Sequence, residues 1–155
     1  MVINPKEKFV VVSDHGMSEV VFSYNLQLEK RFGIQSIKKY LFFYDSVVLR
    51  VWSKDTKLLN EIEIYLNSLG IGGLLSQEDR KKYCVSNKQF GDIIYILNEG
   101  NIFLPNYFGV GLRSIVKGMH GYLPDNKDQM GVVISNFHLE KSYKTKDVCS
   151  ILKKL

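Results

Sequence analysis

Four apolar residues run straight into an acid, an imidazole and a glycine in Phe9-Val10-Val11-Val12-Ser13-Asp14-His15-Gly16-Met17. No other stretch narrows the choice of fold as much. A β-branched and aromatic run without alternation reads as a strand covered on both faces, the pattern of a parallel sheet in an α/β protein. In such sheets ligands bind beyond the carboxyl ends of the strands, where the chain turns and frees its side chains. Neighbours along a strand point to opposite faces, but at a turn into Gly16 both Asp14 and His15 can aim at one point. Two readings of the pair stand. Asp14 caps the following turn and His15 hydrogen-bonds to it, or the two are ligands for zinc or a similar divalent ion. The strand before them and the glycine after them favour the ligands.

The rest of the chain supplies elements for such a fold. Residues 19–24 read as a short extended piece, and Asn25 caps a short helix over 26–32 that Gly33 closes. Residues 47–52 form a valine-rich strand. Asp55 then caps the clearest helix, with Leu58, Leu59, Ile62, Tyr65, Leu66 and Leu69 on one face and Gly70 just past its end. Gly91-Asp92 opens a strand over 93–97, and Asn98-Glu99-Gly100 turns it back through 102–104 as a hairpin. Residues 131–135 read as another buried strand. Thr145 caps a last helix whose apolar side is Val148, Ile151, Leu152 and Leu155. Strands alternating with helices give the α/β class in one domain, 1–155, with 40–104 as a smaller α+β insert. Gly109, Gly111, Gly118 and Gly121 make 105–130 a long irregular segment, which in a compact domain is usually functional.

Composition excludes several classes. With 155 residues, 45% of them hydrophobic, the chain can bury a core and is not disordered. Its net charge of +5 is scattered, densest at Lys141, Lys144, Lys146, Lys153 and Lys154, and no nucleic-acid-binding motif accompanies it. No run is long and apolar enough for a membrane helix, and the polar start does not resemble a signal peptide. Cys84 and Cys149, far apart, fit buried thiols in a reduced compartment. A soluble cytoplasmic protein is expected.

Two other histidines exist. His138, just after a strand, reads as a surface residue. His120 lies between glycines in Gly118-Met119-His120-Gly121-Tyr122-Leu123-Pro124-Asp125, where backbone and ion can approach closely. Ser-Asp-His-Gly-Met after a hydrophobic strand resembles the signature of the type I phosphodiesterase/nucleotide pyrophosphatase family, within the alkaline phosphatase superfamily. The segment around His120, with Asp128-Gln129-Met130-Gly131-Val132 after it, is similar to that family's last metal-binding histidine segment and the strand that follows. The helix after Asn25-Leu26 and the one at Asp147-Val148 fit more loosely.

The resemblance covers nearly the whole chain but only the C-terminal portion of such an enzyme. It implies part of an alkaline-phosphatase-like α/β/α sandwich and in-line phosphoryl transfer with two divalent ions, zinc or manganese. Asp14 and His15 would bind one ion and His120 the other. The family's nucleophile and remaining ligands precede the DHG segment, and the thirteen residues before Asp14 hold only Glu7 as an acid and no His or Thr. No catalytic nucleophile is therefore expected in this chain, and Ser13 and Ser18 are poor substitutes. A phosphoester or nucleotide substrate, and a missing N-terminal half or a second copy as partner, follow from the resemblance. Asp125 and Asp128 read either as supports for His120 or as solvated loop acids. Tyr107 and Phe108 either line a nucleobase pocket or pack. Gly70-Ile71-Gly72-Gly73-Leu74 reads as a helix exit and connector rather than a phosphate loop. The rival to a hydrolase segment is a non-catalytic binding or assembly module with the same fold.

Overall fold

In the computed structural model, residues 7–108, 116–139, 143–153 and 155 are described. Gly109, Gly111, Lys141 and Lys154 lie outside them. The strand after the N-terminus is β1 (Val10–Val12), followed by β2 (Ser18–Glu19) and β3 (Phe22–Tyr24). Helix α1 (Leu28–Phe32) begins two residues later than expected, because Asn25 accepts from Gln27 N at 3.2 Å and makes a turn before it. Strands β4 (Tyr40–Asp45) and β5 (Val48–Ser53) form a hairpin. Helix α2 (Thr56–Ser68) follows, then β6 (Gly72–Leu74), α3 (Gln77–Lys82), β7 (Ile93–Leu97) and β8 (Asn101–Phe103). The chain closes with β9 (Gly118–Met119), β10 (Val133–Ser135) and α4 (Val148–Leu152).

Helix α2 and a four-stranded antiparallel sheet, in the order β4-β5-β7-β6, hold the main core. The alternation of β5 turns Leu49 and Val51 inward, where they meet Leu58, Ile62 and Leu66 of α2 and Ile93, Tyr95 and Leu97 of β7. Each such side chain contributes roughly 1.5–3 kcal/mol on burial. The Asp55 cap, accepting from Lys57 N and Leu58 N at 3.0 and 3.1 Å, adds about 1 kcal/mol. Packing outranks the cap. Gly70, at φ 66°, takes the left-handed turn that ends α2.

Several expectations are corrected. Strand β7 is flanked by β5 and β6, so no edge is left for a hairpin partner, and β8 pairs in parallel with β3 instead. The glycines after α2 are β6 rather than a connector. Strand β1 is neither parallel nor covered: it pairs antiparallel with β10, and Val11 and its partner Ile134 are each 55% exposed. Residues 131–135 are likewise open rather than buried. At the C-terminus Thr145 does not cap α4: residues 145–147 form a 3-10 turn in which Asp147 accepts from Lys144 N at 3.0 Å, and only Ile151 of the expected apolar side is buried. Cys84 and Cys149 are free but exposed, contrary to the buried thiols expected. Among the described residues no helix is long and apolar enough to cross a membrane.

Candidate functional site

The two-residue ladder between β2 and β9 builds the site. It pairs Ser18 with Met119, so His120 emerges beside Met17, next to the DHG corner. Ser13 continues the β1–β10 pairing: its amide donates to Val132 O at 2.9 Å, and its hydroxyl accepts from Val132 N at 2.7 Å. Gly16 N then donates to Gln129 O at 3.0 Å. A Cβ at position 16 would stand 2.1 Å from Asp128 O and 2.7 Å from Met130 O, so only glycine lets the two segments close up. The glycine of the corner is there for that contact.

The three nominated ligand residues are brought together. The His15 and His120 rings stack with centroids 3.8 Å apart and planes 17° from parallel. His15 Nδ1 lies 2.7 Å from Gly16 O, an acceptor that requires a proton on Nδ1, so in the neutral imidazole Nε2 carries the lone pair. That Nε2 is 3.4 Å from Asp14 Oδ2. Zinc–ligand bonds of about 2.0–2.1 Å at tetrahedral angles separate neighbouring donor atoms by roughly 3.3 Å. Asp14 and His15 therefore already have the bite of two adjacent ligands. Stacking keeps the His120 nitrogens in a parallel plane instead of aiming them into that bite. Accordingly, among the described residues no three His, Cys, Asp or Glu side chains form a group able to hold a metal ion. Only the Asp14–His15 pair has the separation of two ligands on one centre.

The remaining candidates divide. Asp125 is tied to α3, its carboxylate accepting from Lys82 Nζ at 2.7 Å and the Tyr83 hydroxyl at 3.1 Å, and these hold it below the usual aspartate range. It does not reach His120. Asp128 turns its carboxyl toward Glu99. His138 is on the surface. Phe108, with Asp45, Ser46, Met119, His120 and Gly121, lines an open cavity of about 390 Å³. Tyr107 backs it, packing at 5.2 Å against Phe108 and at 5.2 Å against Phe43. Both serine hydroxyls near the corner are engaged, Ser13 with Val132 N and Ser18 with Gln129 and Glu99.

Sequence reasoning missed Asp45 and Ser46, which reach the site through the β4–β5 turn. An Asp-Ser pair between two apolar runs was the available signal. Gln129 carries no signal of its own within Asp128-Gln129-Met130-Gly131-Val132.

No family model and no curated protein matches the chain. Solved structures do. Murine ectonucleotide pyrophosphatase/phosphodiesterase 5 aligns with a TM-score of 0.69 at 19% identity, over 95% of this chain and 40% of its own. The inactive variant of that murine protein in complex with AMP gives 0.68 at 19% identity over the same shares. Phosphonoacetate hydrolase from Sinorhizobium meliloti 1021, in complex with phosphonoacetate, gives 0.67 at 17% identity over 92% and 40%. The likeness is one of fold: this chain is a mixed α/β structure that matches part of the fold of these proteins. The chain spans about 40% of the length of the structures it matches.

Proposed function

We propose that this chain forms the portion of a two-metal phosphodiesterase or nucleotide-pyrophosphatase-like hydrolase that carries Asp14, His15 and His120 as metal ligands. One observation carries the reading: residues far apart in sequence bring two imidazoles to 3.8 Å, with a carboxylate oxygen 3.4 Å from the free nitrogen of one. Asp14 and His15 hold one divalent ion, zinc or manganese, and His120 contributes to the other. Bound there, such ions neutralise charge on a transferring phosphoryl group and lower the pKa of an attacking hydroxyl.

The chain's own part is to orient. The Gly16 carbonyl fixes the His15 tautomer, and the DHG corner holds Asp14 against it. The cavity beside His120 takes the substrate's organic portion, with Phe108 as an apolar wall and Asp45 and Ser46 as polar contacts. A phosphoester or nucleotide suits such a place. The AMP and phosphonoacetate complexes of the structural neighbours support that class. In this reading the nucleophile and the remaining ligands are groups other than Asp14, His15 and His120.

A second reading has its own support. Val11 and its partner Ile134, each more than half exposed, are an apolar pair of the kind an assembly module would present to a complementary segment or a second copy. Zinc content after dialysis separates the two. Wild type is expected to retain zinc that Asp14→Ala and His15→Ala lose, and equal content in all three would sink the metal reading.

A further inference from the structure

Gln129 is not a candidate ligand, yet it touches every segment that carries one or holds one in place. Its carbonyl oxygen accepts from Gly16 N at 3.0 Å, on the DHG corner. Its Oε1 accepts from Gly121 N at 2.9 Å, one residue past His120. Its Nε2 donates to Ser18 Oγ at 2.8 Å, and Ser18 is buried in β2. Chemistry fixes the orientation of the amide. A backbone N–H can only donate, so the side-chain oxygen must face Gly121 and the NH₂ must face Ser18. The Ser18 hydroxyl in turn bonds the carboxylate of Glu99, which the Asn126 amide also engages.

These bonds lie where the backbone is least able to hold itself. The ladder of β2 and β9 is two residues long, and His120 begins just past its end. A two-stranded ribbon is marginal in water even when longer. One side chain bridges the gap by joining the buried strand to the backbone behind the imidazole.

We infer that Gln129 is a positioning residue, a latch that sets the stacking of His120 on His15 and thereby the spacing of the two ligand groups. The ligand half of this statement rests on the metal role proposed above, whereas the stacking half does not. A latch predicts that the rings lose their arrangement when the amide is removed, although neither ring touches it. An ordinary turn-stitching residue predicts unchanged rings.

Imidazole proton shifts of the metal-free protein at one fixed pH give the first test, because stacked rings displace each other's resonances upfield. His15→Ala calibrates how far the His120 signals move when the stack is lost. In Gln129→Ala these signals are expected to travel most of that way, with the far-ultraviolet circular dichroism of the fold retained. Gln129→Glu keeps an oxygen for Gly121 N but makes the single Ser18 proton, already given to Glu99, serve two carboxylates, so a displacement smaller than that of Gln129→Ala but short of the wild-type shifts is expected. Should Gln129→Ala not fold, Ser18→Ala removes only the bond that orients the amide, and a partial loss of the shift is expected. Wild-type shifts in the readable variant overturn the latch.

Zinc titration gives the second test. Supporting residues of this kind are typically worth about 10–100-fold in metal affinity, and a weakening in that range is expected for Gln129→Ala. Lost stacking with unchanged zinc affinity overturns the link between the latch and the ligands. Zinc binding indifferent to His15→Ala overturns the metal reading itself, and the ring shifts then decide the latch alone.

Discussion

The four-stranded sheet with α2 and the ladders that carry the site are made of similar residues and end in opposite conditions. In the first, Leu49, Val51, Ile62, Leu66 and Tyr95 are completely buried around one helix. In the second, valines and isoleucines as apolar as those face solvent, on pairs two or three residues long. Apolar character therefore did not decide which region closed. A covering helix did: α2 laid across β5, β6 and β7 makes a core even over the three-residue β6, whereas among the described residues no such helix lies across Val11 and Ile134. The site region is instead held by close backbone contact at Gly16 and by polar side chains such as Ser13 and Gln129. One region stores stability and the other holds geometry.

The largest effect should come from the core. Ile62→Ala is expected to cost about 2–5 kcal/mol in denaturant unfolding, while Ile134→Ala, half exposed, should stay under about 1 kcal/mol. Comparable losses from the two would break the distinction. Gly16→Ala tests the other half. Its methyl group meets backbone oxygens that cannot rotate away, so about 1–3 kcal/mol is expected, together with loss of the His15–His120 ring shifts and protection retained by the β7 amides in hydrogen exchange. Collapse of both regions would show them to be one cooperative unit.

Acid should give the smallest effect. Hydrogen bonds from Ser18, and then Asn126, hold Glu99 below its ordinary value of 4.5. The folded pKa is the lower one, so this contribution is present above the ordinary value and fades as pH falls through the folded one. Because Glu99 is exposed, the change is small and local. Exchange of the Gly121 amide should quicken below the ordinary carboxyl range before that of β7 does, and the reverse order would contradict the assignment.

Legibility in the sequence followed the same divide. Helix α2 could be read because three- and four-residue spacing, an Asp cap and a terminal glycine agree, and β7 because it is a five-residue apolar run. Helix α3 could not be read from periodicity, since Gln77–Lys82 has no apolar stripe. Its one buried residue is Arg80, whose guanidinium donates to Gly91 O and Asp92 O at 2.8 and 2.6 Å. The Ser76–Asp79 capping box was the usable clue. Strand β6 contains two glycines, which carry no strand preference. The partner of β8 was invisible because pairing across about half of the chain leaves no local trace. The Asp14–His15 and His120 segments were legible as chemistry, but the stacking of the rings and the part played by Gln129 depend on where a polar side chain ends, which no spacing rule encodes.

The register Val10↔Ser135 has a consequence for how the molecule is born. During synthesis at roughly 5–20 residues per second, the first strand leaves the ribosome about ten seconds before its mate. Through that interval the nascent chain can finish its helix-covered sheet while the oily N-terminal segment remains solitary. The cleft is consequently completed only after the helix-covered sheet, and Val11 stays uncovered until its partner strand arrives.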